Sequence, residues 1–394
     1  MSGPALFGIG YTFYFGLGSI NFIPLRGHVG SNILWIAGVG LAAFGLGVWL
    51  RTLIGAGRAS NATTGLPAAI QEVIAWRPTA VLLGAVGAFA GILIVIQLGG
   101  LPLLAGDQRL GSSGYLTTLM FGFIVALAIT GGHALANRRW DLVVWCVLGS
   151  GLLILLGYRT FILMPLGALF FTARNLGLAR LRMRWWVFGC LLMYGLSWLA
   201  FYRFGAGKEA MFRMLFRLGM PAEYVPFIPV WVTPREGTGV FAILVQKFPH
   251  TWNYQDGQLL MSAFATMLPG KQEGPRLKIA EYIEGRPGIT ITPSILGQPY
   301  VDWGIGGVLV LMFVVGFVLK SLWIWQASSL TWAPRVASAY VLTFLLLDIH
   351  SGILDVPLIA SALFLLWWAS RAETRARNSA KHNLVVIPER ASQA

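Results

Sequence analysis

Ten apolar stretches, each long enough or nearly long enough to cross a bilayer, dominate this 394-residue chain. A helix needs about 20 apolar residues to span the hydrocarbon core. Within lipid only helices and closed barrels satisfy their own backbone hydrogen bonds. The stretches cover 4–23, 32–54, 79–98, 115–136, 141–157, 160–173, 185–203, 303–325, 332–350 and 353–370. The fifth and sixth are short and separated only by Gly157, Tyr158 and Arg159, so they form a tight hairpin or a broken element. Hydrophobic residues make up 56% of the chain and charged ones 11%, against roughly 25% charged in a soluble domain. There are too few polar side chains to cover a water-facing surface. That excludes an ordinary soluble enzyme, a disordered protein and a disulfide scaffold. The expectation is an all-α polytopic membrane protein with about ten transmembrane helices. Its first stretch has no basic segment before it and no clear small-residue cleavage site, and reads as a retained helix rather than a signal peptide.

The charge is lopsided, with 29 Lys and Arg against 15 Asp and Glu. In a soluble chain that excess would suggest nucleic acid; in a membrane protein it sets orientation. The odd-numbered connections before the long one carry Arg26, Arg109 and Arg159 alone. The even-numbered ones carry Arg51, Arg58 and Arg77, then Arg138 and Arg139, then Arg174, Arg180, Arg182 and Arg184, then Lys320 and Arg335. Arg371, Arg375, Arg377, Lys381 and Arg390 follow in the tail. Basic residues stay in the cytoplasm, so the even connections and both termini are expected there. The excess charge is a topology signal, with attraction to anionic membrane lipids as a secondary effect; no nucleic-acid partner is implied.

Four segments follow. Residues 1–203 form an N-terminal transmembrane bundle, 204–302 a large extracytoplasmic loop, 303–371 the C-terminal transmembrane helices, and 372–394 a basic cytoplasmic tail. The loop is nearly balanced in charge and reads as a helical cap over an outward-facing cavity. An amphipathic helix is expected at Lys208–Leu218, and shorter ones at Val240–Val245, Gly257–Leu268 and Pro275–Glu284. The cytoplasmic connections are too short for a nucleotide-binding βαβ unit, so any chemistry belongs on the outer side, on a substrate that arrives already activated.

Ionisable side chains at membrane depth suggest function. Arg159, lodged between two apolar runs, either snorkels to the interface or binds an anion. Arg109 is a solvated charge or an anion ligand, and arginine suits phosphate because its planar fork makes paired, charge-assisted bonds. Arg276, Lys278, Glu281, Glu284 and Arg286 recur at helical spacing, as a solvated face or as an acid–base rim able to hold a diphosphate. His250 is a loop histidine or a general base. Asp348, His350 and Asp355 would suit the proton relay of a transporter. Cys146 and Cys190 sit in apolar runs as small hydrophobes. No Cys/His cluster, P-loop or HExxH motif is present, so neither a metal nor a cofactor is expected.

These residues lie in segments that resemble the bacterial oligosaccharide repeat-unit polymerases, the Wzy-type O-antigen polymerase family. Ser2-Gly-Pro-Ala-Leu-Phe resembles the family's helix opening, and Gln97-Leu-Gly-Gly-Leu-Pro-Leu-Leu, with Arg109 downstream, its Gly-Ile-Pro loop. Leu156-Gly-Tyr-Arg-Thr-Phe-Ile-Leu resembles the segment with an outward-facing Arg. The best match is Thr290-Ile-Thr-Pro-Ser-Ile-Leu-Gly-Gln-Pro-Tyr-Val-Asp-Trp-Gly-Ile-Gly-Gly, where Gln298 stands in place of the family's Glu. Arg286 precedes Gly297 in an echo of an Arg-x10-Gly pattern. The resemblance implies a GT-C-like, inverting, metal-independent glycosyltransferase of the bacterial inner membrane. It would move a growing glycan from undecaprenyl diphosphate onto the next lipid-linked oligosaccharide, building O-antigen, capsule or exopolysaccharide. Arg159, Arg109, Arg286 and Arg276 would hold the diphosphate, and one of Glu281, Glu284 or His250 would take the acceptor's proton. Tyr300 and Asp302, inside the best-matching segment, would contact substrate. A chain-length regulator is the partner protein such an enzyme would have. The alternatives are a glycan ligase of the same build and a flippase or transporter for lipid-linked glycans.

Overall fold

The computed structural model describes residues 1–21, 28–56, 76–102, 114–156, 159–178, 194–195, 213, 215–217, 219–266, 274–284, 291–353 and 355–391. Among them every regular element is helical. The helices are α1 (Gly3–Gly18), α2 (Ser31–Ala56), α3 (Trp76–Gln97), α4 (Gly114–Ala136), α5 (Trp140–Leu152) and α6 (Arg159–Asn175). They continue with α7 (Ile228–Lys247), α8 (Gln258–Ala265), α9 (Pro275–Glu284), α10 (Ser294–Ala327), α11 (Ala333–Ser351) and α12 (Val356–Ala391). Four are long and apolar enough to cross a membrane by length and composition: Ser31–Gly55, Trp76–Gln97, Gly114–Ala136 and Ser294–Ala327. The apolar stretch at 185–203 lies outside the described residues apart from Tyr194 and Gly195, as does most of the amphipathic helix expected at 208–218.

The helices turn apolar side chains outward. On α3, Val81, Leu82, Phe89, Ile92 and Ile96 are all exposed, a surface that only lipid covers without penalty. Together with the four long apolar helices, this makes the chain a polytopic membrane protein. Lipid gives no hydrophobic drive between helices, so they associate through close backbone approach at small residues. Gly47 and Gly316 bring α2 and α10 together, with Phe313 and Phe44 backbone where a Cβ would lie. Gly87 does the same for α3 against Phe123 of α4.

Two segments depart from the sequence expectation. α7 is a 20-residue helix with Pro234 inside it, where a short helix at Val240–Val245 is expected and Pro and Gly precede it. Packing overrides them: Trp231, Arg235, Val240, Phe241 and Leu244 bury one side of α7, which packs on α1, α10 and α11. α10 breaks at Trp303 and Gly304, the latter at φ 63° and ψ −148°. The break separates Ser294–Asp302, which belongs with the loop, from the long apolar helix after it. A side chain at Gly304 would strike the Tyr254 ring, so both conformation and space call for glycine.

The described arginines of the even-numbered connections meet at one end of the bundle. Arg51 Nε donates to Ser321 Oγ at 2.8 Å, Arg174 lies 5.6 Å over the Trp323 ring, and Asn175 Nδ2 donates to the Arg335 carbonyl. His133 stacks on Trp76 and meets Trp332, which brings Arg77 to the same end. Glu373, buried on α12, accepts from the Leu330 and Thr331 amides and pairs with Arg377. Gly3 sits beside Trp323 and Leu342 here. The opposite end is built from the C-termini of α1 and α11 and from the loop helices α7 to α9; we call it the loop end.

Candidate functional site

At the loop end, close approach of α1 and α7 sets the geometry. A Cβ at Gly18 would collide with Thr238 and the Pro234 carbonyl, and one at Gly237 with the Tyr14 hydroxyl. Bare glycines there let Tyr14 Oη reach His350 Nδ1 of α11 at 3.0 Å. Glu236 is close enough to act electrostatically on Tyr14. Next along α7, Arg235 is fully buried and donates from Nη1 to the Gly18 carbonyl at 3.3 Å. A buried guanidinium and a carboxylate thus occupy successive positions where α1 ends.

A second charged group lies where α11 turns into α12. Arg276, in the first turn of α9, donates from Nη2 to Asp355 Oδ2 at 2.8 Å, and the two side chains are 29% and 28% exposed. Its Nε is buried and has no hydrogen-bond partner among the described residues, so the guanidinium keeps donor capacity beyond the pair. Asp348 lies one turn before the end of α11, fully buried. Its Oδ1 accepts from Ser351 Oγ at 2.9 Å, while Oδ2 has no partner among the described residues. Both Asp355 and Arg276 act electrostatically on it. Burying a carboxylate is expensive unless a charge or donor compensates; here repulsion by Asp355 outweighs the attraction of Arg276.

Helix register brings Arg159 to this level. α6 runs antiparallel to α11, with Asn175 bonded to Arg335 and Gly167 against Thr343. The two contacts are eight residues apart on each helix. Eight more along the same register set Arg159, the first residue of α6, level with Ser351, the last of α11. The side chain of Arg159 lies outside the described residues, as do Arg109, Arg286 and the Glu284 side chain.

The other expected site residues gather at the far end of α9. Lys247 Nζ donates to the Tyr282 and Ile283 carbonyls at 2.8 and 3.1 Å, capping α9 with a cation where its dipole is negative. Glu281 and His250 are both exposed there. Burial holds the Tyr282 hydroxyl above its usual pKa range, and the Glu281 and Asp302 carboxylates push the same way. Tyr300 is buried, its ring edge-on to Phe241 and its hydroxyl directed at the Phe248 carbonyl. Asp302 is fully buried. It accepts the Leu259 amide on Oδ1, and the Leu260 amide and Gln298 Nε2 on Oδ2, at 3.0, 3.1 and 3.0 Å. In this arrangement Asp302 caps α8 from a distant helix and ties the loop to α10.

Of the expected residues, then, Arg276 joins the group with Asp348 and Asp355, and the level of Arg159 agrees with it. Glu281, Tyr300 and Asp302 gather around Tyr282 and Phe248, and His250 is exposed two residues beyond Phe248. Tyr14, Arg235 and Glu236 went unmarked in the sequence. The available signal was an Arg-Glu pair inside what folds as a buried helix, concealed by neighbouring Pro and Gly.

No curated protein and no solved structure matches the chain. The O-antigen polymerase family matches it over residues 4–361, from the first turn of α1 into α12. That interval holds every element of both groups just described. The chain belongs to the O-antigen polymerase family.

Proposed function

We propose that the loop end is the active site of a glycosyltransferase working at the outer face of the bacterial inner membrane. Family membership makes the chain a membrane polymerase that joins repeat units into polysaccharide from lipid-linked oligosaccharides. The finer reading concerns donor, side and residues. The donor is a glycan on undecaprenyl diphosphate, the acceptor the next lipid-linked repeat unit, and the product O-antigen, capsule or exopolysaccharide. A diphosphate leaving group already activates the anomeric carbon, so transfer with inversion needs no nucleotide domain and no metal.

The observation that carries this reading is the Arg276–Asp355 pair beside buried Asp348, with Arg159 at the same level. Cations at the end opposite the topology-setting arginines are placed to neutralise charge developing on a diphosphate, the electrostatic work of preorganised donors. Arg109 and Arg286 are further candidates for that anion. The acceptor's proton goes to an acid or imidazole at this end, with Glu281, Glu284 and His250 the candidates along the loop. By the charge rule, the basic end and both termini face the cytoplasm.

The test is reconstitution in liposomes with a lipid-linked repeat unit, no nucleotide sugar and a chelator present. A ladder of longer lipid-linked glycans is expected. Folded protein that yields no extension would refute the reading, and transfer of the glycan to a different acceptor would make the enzyme a ligase.

A further inference from the structure

The group in contact with the Arg276 guanidinium is none of the loop's proton-acceptor candidates but Asp355, 2.8 Å away and about as exposed as Arg276 itself. Resting on the reading of the loop end as the active site, we propose that Asp355 is the proton acceptor of the transfer step. It is freed for that role when the donor's diphosphate displaces it from Arg276.

The geometry makes the two events one exchange. With Asp355 bound, Arg276 is paired on Nη2, while Nε is buried without a partner among the described residues. A diphosphate carries more charge and more acceptor oxygens than one carboxylate, and it can engage both edges of the fork. Once displaced, Asp355 has lost its cation and still faces Asp348, whose Oδ2 has no partner among the described residues. Two carboxylates without a shared cation favour uptake of one proton. The acceptor hydroxyl supplies it. The anomeric carbon–oxygen bond to the diphosphate breaks, and its electron pair leaves on the phosphate oxygen, beside Arg276. The acceptor oxygen bonds to the anomeric carbon, and its proton passes to Asp355 and later to water. The proton acceptor thus becomes basic only when donor is bound.

The test compares wild type, Arg276→Gln and Asp355→Asn, each checked by thermal melting for a native fold. Binding of sugar-free polyprenyl diphosphate in detergent is read first. Asp355→Asn removes a competitor for the guanidinium and should bind about threefold more tightly, the scale of a partly exposed ion pair. Arg276→Gln should bind about tenfold more weakly. In reconstituted chain growth, Asp355→Asn should lose about 100-fold or more in kcat with KM unchanged or lower. If Asp355→Asn binds more weakly, as Arg276→Gln does, Asp355 is a structural strut and the proposal falls. A wild type that grows chains beside a fully active Asp355→Asn also overturns it, while leaving the active-site reading intact. A folded wild type that grows no chains removes that reading, and this inference with it.

Discussion

Replacing Asp302 by alanine separates two roles that the sequence alone cannot tell apart, substrate contact and support of the loop. Three donors converge on this buried carboxylate: the Leu259 and Leu260 amides and Gln298 Nε2, all within 3.1 Å. Hydrogen bonds to an ionised group contribute about 1.5–3 kcal/mol each, and orphaned buried donors lose their desolvation free energy besides. Water entering the vacated space recovers part of that loss. The net expectation is destabilisation by about 3 kcal/mol, near the upper end of ordinary single substitutions. The loss should be local, since Asp302 ties α8 to the helix before the Trp303–Gly304 break. Asparagine keeps one acceptor oxygen and should lose about half as much. Thermal unfolding followed by tryptophan fluorescence reads the global effect, because Trp303 adjoins the site. Limited proteolysis across 253–266 reads the local one. Asp302→Ala should melt earlier and be cut faster, with chain growth falling in parallel. A variant that melts and is cleaved like wild type yet grows no chains would refute the argument and return Asp302 to the substrate site.

Three further outcomes are expected. Arg159→Ala should reduce chain growth about 100-fold, the scale of one lost electrostatic donor, with membrane insertion unchanged; a fully active variant, judged by the polysaccharide ladder, rules out its diphosphate role. Gly237→Ala puts a methyl group into the Tyr14 hydroxyl and should destabilise the protein by about 1–3 kcal/mol, while the same change at Gly151, which has open space, should be nearly silent in the same melt. Tyr282, whose hydroxyl is held above the usual range by partial burial and by the Glu281 and Asp302 carboxylates, should ionise after free tyrosine in a difference titration against Tyr282→Phe. Its folded pKa is the higher one, so its contribution is fully present below the ordinary tyrosine pKa and is lost as pH rises through the folded value. A Tyr282 band at or below the free-tyrosine midpoint would contradict the packing described.

The legible part of the fold was the part in which one residue property repeats over a long stretch. An apolar run such as 79–98 has no alternative to a helix in lipid, and α3 occupies nearly the same residues. Only the Val240–Val245 part of α7 was legible, because local signals opposed helix before it. Pro234, Gly237 and Gly239 weaken a helix by propensity, and only contact with α1, α10 and α11 recovers it. Among the site residues, Arg276 stood out by its spacing to Glu281 and Glu284, but its partner Asp355 is 79 positions away. No periodicity reports such a pair. Asp348 and Asp355 were visible as acids seven apart that would share a face if the helix ran on. The helix instead ends at Ser351 and turns at Gly352, φ 77°, and Arg276 interacts with both acids from a different element.

What separates a topology-setting arginine from a working one is its partner, and the two ends of this bundle differ in that respect. At the basic end Arg51 bonds a serine beside the Phe317 ring, while Arg174 and Arg371 lie over Trp323 and Trp367. Aromatic faces and hydroxyls stabilise a cation while leaving its charge uncompensated, and orientation in the membrane counts Lys and Arg whatever their partners. Arg377, bonded to Glu373, and Arg139, bonded to Asp141, are exceptions, and Glu373 has a separate task in capping the Leu330–Thr331 turn. At the loop end the chain places acids instead: Asp355 on Arg276, Asp348 behind the pair, and Glu236 next to Arg235. An ion pair as exposed as this one adds little stability. Such a pair is instead exchangeable, because an anionic substrate can replace its carboxylate at small free-energy cost. Counting charges along the sequence therefore finds the cytoplasmic side but passes over the site, where the positive and negative residues cancel in the sum.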